Sequence, residues 1–395
     1  MTPSPTPPTP EVPGSERDAA AARNEGLPAP ESLRVVILSD AMPSRNGVGT
    51  YYEDLADHLR DRVREVTLIS PPAGTEGEFS GLTMAMPGDP TQRLYFPGPF
   101  RLWQKVKKLD PHVVISATPG GFGFLGLAYS ALLRSAFCVG YHTEYSELAQ
   151  LYWENAFGRA YKGILAVWDQ MMFRFGSVIL VTNEDLLEAA RAGGANDARI
   201  MGTPVQKKFL EMPLKGLPDR LGTVSYVGRL APEKRLDQVK EAAQRMPDLR
   251  FRIAGDGPLR DQVQRWAGEQ RNLDYLGWVS RGEVMEILDA TDLLVLPSRF
   301  ETFGTAAFEA MIRRRLALVS PNCGITRWPE LEGGLFVARE EEPLHRAIQR
   351  LRALDPTVRR NVAEKGAEAA RRLSLRTVEE WEDVLCHAVA EKRYV

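Results

Sequence analysis

The stretch DLLVLPSRFETFGTAAFEAM, residues Asp292 to Met311, contains a complete strand–turn–helix unit. Its first residues, DLLVLPS, form an apolar run typical of a strand buried on both faces of a parallel sheet. The small residues that follow Gly304 predict a helix that begins there. Seven residues separate its two carboxylates, Glu301 in the turn and Glu309 in the helix. The unit predicts an α/β sheet and raises the question of what two acids do beside one turn.

The same alternation of strands and helices extends over the rest of the chain. It begins with LRVVILSD at Leu33 and is interrupted at residues 206–220 by prolines and scattered charge, which predict an interdomain linker. Alternating strands and helices imply parallel sheets with right-handed crossovers. We therefore expect an α/β protein in which two doubly wound parallel-sheet domains, residues 32–205 and 221–374, face each other across a cleft, followed by an amphipathic helix at 375–395.

The length and composition of the chain agree with this two-domain organisation. A length of 395 residues favours two domains of ordinary size, and 44% hydrophobic with 26% charged residues is typical of a soluble globular protein. The formal charge of −2 gives no global reason to expect nucleic acid or an anionic membrane as the main partner. The widely spaced Cys138, Cys323 and Cys386 argue against a disulfide framework or a thiolate metal site and favour a reducing compartment.

Three segments bear on whether the protein is exported or attached to a membrane. Residues 1–31 are rich in Pro, Ala and charge, which predicts a disordered tail without the apolar centre of a signal peptide. The most apolar stretch, Gly120 to Leu133, is shorter than the roughly 20 residues that span a bilayer, so we expect a helix packed on a sheet. RLWQKVKKL, residues 101–109, predicts a surface helix with an apolar inner face, and a membrane-facing basic helix is the alternative.

Ligands of doubly wound folds bind outside the carboxyl ends of the strands, so chemistry is expected in the loops there. Arg229 follows a strand directly in VGRLAPEKRLD, and Lys234 comes five residues later. Two cations at this place can clamp a diphosphate and stabilise it as a leaving group. Ordinary solvated loop charge is the alternative.

The opening unit extends this hypothesis. Backbone N–H groups of Phe303, Gly304 and Thr305 at the helix start can face an anion. Glu309 can accept hydrogen bonds from a vicinal diol such as that of a ribose, and Glu301 would meet whatever lies beyond the phosphates. Together they predict a sugar-nucleotide site. The alternative is a buried ion pair at Glu309 with Glu301 as a capping residue.

Two further turns in this half are weaker candidates. IAGDGPLR places Asp256 and Gly257 before a probable helix start, which is a common strand-to-helix turn. The main chain of GWVS, which includes Val279, can meet a planar base or form a simple turn.

The N-terminal half has two candidate loops. SRNGVG carries Gly47 and Gly49, which allow close approach of a ligand but do not form the three-glycine dinucleotide fingerprint. YHTEY places His142 and Glu144 just past a strand. His142 can bond a sugar hydroxyl or a departing phosphate, and a histidine tied into loop packing is the alternative.

Three segments in this order, VGRLAPEKRLD, IAGDGPLR and ETFGTAAFEAM, resemble the donor-side motifs of retaining glycosyltransferases of family 4, which have the GT-B fold. NGVG and the histidine of YHTEY resemble that family's acceptor-side partners. The resemblance extends from Leu33 to the C-terminal helix, and the ordered combination is highly specific. It implies two Rossmann-like domains, a nucleotide sugar in the cleft, and a last helix that crosses back to the N-terminal domain.

The resemblance implies roles for the matching donor-side residues. Arg229 and Lys234 would hold the diphosphate, and the amides at the helix start would bind the phosphates. Glu301 would bind hydroxyls of the donor sugar, and Glu309 the ribose.

On the acceptor side, Gly49 would approach the phosphate from the other domain, and His142 would lie near the sugar and the leaving group. The family generally needs no metal, and we expect neither a metal nor another cofactor. The implied mechanism is retaining transfer, in which the acceptor hydroxyl attacks from the face that the phosphate leaves. Nothing in the sequence makes Glu301 a nucleophile.

The chain departs from the family pattern at three places. Arg313 to Arg315 replace a small turn after the second glutamate, and NCGITRWPELEGG carries Arg327 and Trp328 where a Gly-Gly-Ile-Pro-Glu type loop is common. Arg235 follows Lys234 where glycine is more usual. These differences put the identity of the sugar and the local turn geometry in doubt.

We therefore expect a cytoplasmic hexosyltransferase that uses a UDP- or GDP-hexose and a lipid, glycan or small-molecule acceptor, with peripheral contact at the inner face of the membrane left open. A sugar-nucleotide epimerase of the same fold and a non-catalytic nucleotide-sugar-binding protein are the alternatives. The intact arginine, lysine and two glutamates argue against the non-catalytic one.

Overall fold

A computed structural model describes residues 27–42, 47–71, 80–86, 89–142 and 156–391 of the chain. Within them the polypeptide forms two six-stranded parallel sheets and a two-stranded antiparallel sheet. The predicted α/β class with two parallel-sheet domains is confirmed. Of the predicted tail, residues 1–26 lie outside the described residues, whereas Leu27 packs against the N-terminal core and Pro30–Ser32 form a 3-10 turn.

The N-terminal sheet has the strand order β2-β1-β5-β6-β7-β8. Its strands are β1 (Arg34–Leu38), β2 (Glu65–Ile69), β5 (Val113–Ser116), β6 (Ala136–Tyr141), β7 (Val178–Val181) and β8 (Ala198–Ile200). Its helices are α1 (Gly47–Leu59), α2 (Pro99–Leu109), α3 (Gly121–Leu133), α4 (Ala156–Phe175) and α5 (Glu184–Ala192). Every residue of β5, β6 and β7 is buried, as expected of apolar strands covered by helices on both faces.

An antiparallel hairpin, β3 (Ser80–Met86) and β4 (Asp89–Pro97), lies between β2 and α2 and was not predicted. The sequence there, GLTMAMPGDPTQRLYFP, has two runs with large apolar residues separated by Pro-Gly-Asp-Pro, a composition common in hairpins. In α2, Leu102 and Val106 are fully buried, which agrees with the predicted apolar inner face of a surface helix. No helix among the described residues is both long and apolar enough to cross a bilayer.

The C-terminal sheet has the order β11-β10-β9-β12-β13-β14. Its strands are β9 (Thr223–Val227), β10 (Arg250–Ala254), β11 (Leu273–Gly277), β12 (Leu293–Leu296), β13 (Leu316–Val319) and β14 (Phe336–Val337). The helices of this half are α6 (Lys207–Glu211), α7 (Leu236–Arg245), α8 (Arg260–Glu269), α9 (Arg281–Asp289), α10 (Thr305–Ile312) and α11 (Leu344–Arg352). The apolar run that begins at Leu293 is thus a central, fully buried strand.

The predicted linker packs on the C-terminal domain. Phe209 and Leu217 belong to that domain's hydrophobic core. The fully buried Arg313 donates to the carbonyl oxygens of Phe209 and Met212, and Arg315 donates to that of Gly216. The arginines that replace a small turn therefore hold the linker to the end of α10, because buried guanidinium groups must find acceptors.

The last helix, α12 (Pro356–Ala390), is 35 residues long and begins well before residue 375. Its start is set by Asp355, whose side chain accepts from the N–H of Thr357 at 2.7 Å. Leu373 packs in the C-terminal core, whereas Trp381 and Leu385 pack in the N-terminal core. One continuous helix therefore contributes to both domains.

Candidate functional site

The strand orders fix where the two sheets can bind ligands. In the C-terminal sheet, β10 lies on one side of β9 and β12 lies on the other. In the N-terminal sheet, β2 lies on one side of β1 and β5 lies on the other. A crevice opens outside the carboxyl ends of the strands at such a switch point. We call the loops after β9, β10 and β12 the C-terminal edge, and those after β1, β5 and β6 the N-terminal edge.

Charged side chains of the C-terminal edge contact one another. Lys234 Nζ lies 2.7 Å from Glu301 Oε2, and these side chains are only 14% and 23% exposed. Arg229 Nη1 lies 3.5 Å from Glu233 Oε1. The loop after β9 is joined to the loop after β12 by the N–H of Arg299, which donates to the Glu233 carbonyl oxygen at 2.8 Å. The predicted cations and Glu301 therefore form one cluster of partly buried charge.

The turn after Lys234 places a residue other than glycine in a left-handed conformation. Arg235 adopts a left-handed φ of 51° at the start of α7. Tyr226 supports the preceding loop, since its hydroxyl donates to the carbonyl oxygen of Arg229 at 2.8 Å.

The start of α10 has the geometry of an anion site. Gly304 takes a φ of 98°, and no side chain caps the helix. A methyl group there would lie 2.7 Å from Cys323 Sγ, so both backbone conformation and space require glycine. The first N–H groups of a helix have no partner within it. Phe303 buries its ring against Phe308, with centroids 5.3 Å apart, so its main chain is the part that can serve a ligand.

A second helix start faces this one across the cleft. A methyl group added to Gly47, the first residue of α1, would lie 3.9 Å from Thr305 Oγ1 in α10. Gly49 is buried in the first turn of α1. Because helix N-termini carry partial positive charge, the two starts together favour an anion between them.

The loop after β10 shapes the one that carries Arg229. A methyl group on Gly255 would lie 1.9 Å from the carbonyl oxygen of Gly228, and one on Gly257 would lie 2.5 Å from that of Leu230. The N–H of Leu230 donates to the carbonyl oxygen of Asp256 at 2.9 Å. Asp256 and Gly257 thus hold two loops together through their main chains.

Val279 lies two residues before α9 and packs partly buried against the C-terminal core. The turn before it contains Gly277, whose φ is 75°. Val279 therefore lies in the turn between β11 and α9, and the prediction that its main chain meets a planar base stays a prediction.

His142 packs in an aromatic cluster at the N-terminal edge. Its Nε2 lies 2.9 Å from the Tyr52 hydroxyl, and its ring centroid lies 4.7 Å from that of Tyr51. Trp381 donates to the Tyr51 hydroxyl at 2.8 Å. Burial lowers the pKa of His142 to about 4, so the ring is neutral at physiological pH. These contacts match the predicted packing alternative; Glu144 lies outside the described residues.

Glu309 is in a buried ion pair. Its side chain is 3% exposed, and Oε1 accepts a hydrogen bond from Arg281 Nη1. Arg281 also binds Asp54 of α1 through Nη2, at 2.6 Å. The ion-pair alternative is therefore realised in this structure. Sequence reasoning missed both partners, although Asp54 stands out as an acid on the buried face of α1.

Asp40 was also missed. It follows β1, and its carboxylate accepts from Thr118 Oγ1 at 2.7 Å and from the N–H of Phe122 at 3.0 Å. Gly120, the residue before α3, has no side chain to cap that helix, so Asp40 caps it from another loop. Burial raises the pKa of Asp40 to about 6.

Over the described ranges, no group of three or more His, Cys, Asp or Glu side chains is placed to hold a metal ion.

Two sequence models of known families match most of the chain. The model described as glycosyl transferases group 1 matches residues 211–369, and that described as glycosyltransferase family 4 matches residues 45–203. The two matches correspond to the C-terminal and N-terminal sheets.

Curated relatives are glycosyltransferases. The chain is 24% identical over 323 residues to the sulfoquinovosyl transferase of Arabidopsis thaliana, covering 75% of this chain and 61% of that protein. It is 35% identical over 162 residues to the alpha-D-kanosaminyltransferase of Streptomyces kanamyceticus, covering 38% and 41%. A GDP-mannose-dependent alpha-mannosyltransferase of Mycobacterium tuberculosis is 26% identical, covering 74% and 80%. The chain thus spans less than two thirds of the first two proteins.

Solved structures share the fold. HepE from Anabaena, in complex with UDP and glucose, superposes with a TM-score of 0.65 at 16% identity, covering 89% of this chain and 99% of that one. WaaG, a glycosyltransferase involved in lipopolysaccharide biosynthesis, gives 0.57 at 15% identity, covering 89% and 99%. These similarities and the paired parallel sheets show the GT-B fold, and the two family matches, which together cover most of the chain, identify it as a member of glycosyltransferase family 4.

Proposed function

We propose that this glycosyltransferase moves a hexose from a nucleoside diphosphate sugar to a hydroxyl group of a lipid, glycan or small-molecule acceptor, with retention of configuration. The observation that carries the proposal is the meeting of two helix starts, at Gly47 and Thr305, beside the cluster of Arg229, Lys234 and Glu301. This arrangement suits a diphosphate with a polyhydroxylated group attached.

The proposed roles follow from position. The first-turn amides of α10 and α1 bind the diphosphate, and Arg229 and Lys234 neutralise its growing charge. Lys234 holds Glu301 in place through their salt bridge, and that carboxylate accepts hydrogen bonds from hydroxyls of the donor sugar. Glu309 accepts from the ribose.

In the proposed step, the bond between the anomeric carbon and the phosphate oxygen breaks, and its electron pair leaves with the phosphate. The acceptor hydroxyl attacks the oxocarbenium-like carbon from the same face and transfers its proton to the departing phosphate oxygen. His142 serves as a neutral hydrogen-bonding group near the sugar, because a pKa of about 4 makes it a poor proton donor at neutral pH.

Support for the donor class comes from proteins of similar fold or sequence. HepE was solved with UDP-glucose, and two mannosyltransferases among the relatives are GDP-mannose-dependent. These names make UDP and GDP the first nucleotides to test.

An exposed phenylalanine supports an acceptor with an apolar part. Phe124, in the first turn of α3 at the N-terminal edge, is 49% exposed and lies against Trp168 with centroids 4.3 Å apart. We place the enzyme in the cytoplasm, with peripheral contact at the inner face of the membrane where the acceptor is a lipid.

A thermal-shift panel of UDP- and GDP-hexoses tests the donor, and mass spectrometry of products made with cell extract tests transfer. We expect one donor to raise the melting temperature and one product to gain a hexose, with the anomeric configuration of the donor by NMR. Conversion of the donor to another sugar nucleotide without acceptor would show an epimerase. Binding without turnover in any acceptor mixture would show a binding protein.

A further inference from the structure

One guanidinium group joins three parts of the molecule. Arg281, the first residue of α9, binds Glu309 of the C-terminal domain through Nη1 and Asp54 of the N-terminal domain through Nη2, the latter at 2.6 Å. The ring of Phe209, in the linker, lies with its centroid 5.1 Å from Arg281 Cζ. Both domains and the segment between them therefore meet at this side chain.

The contact is almost fully removed from water. The side chains of Arg281, Asp54 and Glu309 are 11%, 1% and 3% exposed. Buried charges need partners, and removal of one partner from a buried set is far more costly than loss of a surface ion pair. By contrast, Arg327 and Asp185 also join the two domains, but they are 57% and 73% exposed, and such pairs contribute little.

Arginine suits this position better than lysine does. A planar guanidinium presents separate N–H donors in fixed directions and can hold two carboxylates at once, whereas an ammonium acts as a single point charge. Because Arg281 donates a hydrogen bond to Oε1 of Glu309, Oε2 is the atom that would accept a hydrogen bond from a ribose hydroxyl.

We propose that Arg281 is a positioning residue that orients the Glu309 carboxylate for the ribose and, through Asp54, holds the N-terminal domain against the same site. The ribose part rests on the proposed function. Nucleotide binding and domain closure are then linked, because one side chain bears on both, and stabilisation of either favours the other.

The test compares Asp54→Asn, Arg281→Lys and the control Asp185→Asn, which removes the exposed cross-domain pair. Asp54→Asn leaves Arg281 paired with Glu309, so we expect it to fold. The measurements are small-angle scattering without ligand, binding of UDP and GDP by calorimetry, and kcat and KM for the donor.

We expect Asp54→Asn to increase the radius of gyration of the ligand-free protein, to lower kcat by about fivefold to tenfold, and, because binding and closure are linked, to raise nucleotide Kd by about threefold. Arg281→Lys should raise nucleotide Kd by about tenfold and also lower kcat. Asp185→Asn should have the radius of gyration, kcat and nucleotide Kd of wild type. Asp54→Glu should have a radius of gyration between those of wild type and Asp54→Asn.

Scattering and kcat of Asp54→Asn equal to those of Asp185→Asn would overturn the cross-domain role, and an unchanged Kd in Arg281→Lys would overturn the role toward Glu309. The scattering comparison needs no nucleotide. If the wild-type protein bound neither UDP nor GDP, the proposed function and the ribose role would fail, whereas scattering would still decide the cross-domain role.

Discussion

The two cleft edges are built on similar six-stranded parallel sheets but differ in the exposure and the partners of their charged side chains. At the C-terminal edge, Lys234 and Glu301 pair with each other and stay partly exposed. At the N-terminal edge, Asp40 and His142 are bonded to neighbouring loops or helices, and burial shifts both pKa values. Charge that a ligand can use thus lies on one side of the cleft, while the titratable groups of the other side hold the structure together. The following predictions test that difference.

The largest effect is expected at the C-terminal edge. Arg229→Ala should lower kcat/KM by about a hundredfold to a thousandfold, because a cation aimed at a leaving group contributes mainly in the transition state. The melting temperature of the variant shows whether the loss of activity is separate from a loss of stability. Steady-state kinetics measures the loss. Arg245→Ala, at an exposed pair on α7, is the control, and wild-type turnover by the Arg229 variant would contradict the mechanism.

Glu309→Gln should weaken nucleotide binding by about tenfold or more, because a charged acceptor of ribose hydroxyls becomes neutral. Isothermal titration with UDP and GDP measures the change. Glu241→Gln, on the exposed side of α7, is the matched control. An unchanged Kd would leave Glu309 as an ion-pair residue without a part in nucleotide binding.

Gly304→Ala should destabilise the fold by about 1–3 kcal/mol, because alanine is strained at a φ of 98° and its methyl group would meet Cys323. Chemical denaturation measures the free energy of unfolding. Gly268→Ala in α8 has open space around it and should be neutral or slightly stabilising. Equal stability of the two variants would argue against a required glycine at the start of α10.

At the N-terminal edge we expect smaller, pH-dependent effects. The pKa of Asp40 is raised to about 6 from 3.8, so the folded state binds more protons than the unfolded state between these values. The contribution of Asp40 to stability therefore falls as pH rises through this window, by at most ~1.4 kcal/mol per pH unit. Asp40→Asn should remove that fall, as measured by denaturation at pH 4 to 7. The same pH dependence in both proteins would refute the assignment.

The contribution of His142 to stability should depend on pH with the opposite sign. Its pKa is lowered from 6.5 to about 4, so the unfolded state binds more protons and stability falls as pH drops through that window. His142→Gln should reduce this loss on acidification by at most ~1.4 kcal/mol per pH unit. Denaturation across the same pH series measures it. A variant that loses stability on acidification as steeply as wild type would show that His142 titrates normally.

Much of the C-terminal edge could be predicted from sequence because its residues lie close together in local motifs. Glu301, Gly304 and Thr305 belong to one turn, and that turn needs the geometry that the glycine provides. Lys234 and Glu301 lie in loops 67 residues apart, and the rule that the carboxyl ends of parallel strands share an edge predicted both at the cleft. Their salt bridge was not predicted.

The partners of Glu309 and the capping of α3 could not be predicted in the same way. Asp54 and Arg281 are 227 residues apart in different domains, and no local pattern indicates which helix faces will meet. The linker was predicted from its prolines and charge, but its packing on the C-terminal domain depends on carbonyl groups that only the fold brings to Arg313 and Arg315.

The sequence by itself determined the alternation of strands and helices, the turns that require glycine, and the acids and bases at the strand ends, because these depend on periodicity and local backbone conformation. Tertiary structure alone decided that Glu309 is paired with Arg281, that His142 is neutral inside an aromatic cluster, and that α12 spans both domains. The reason is physical: burial and long-range pairing set charge and orientation, and both arise only when distant segments pack.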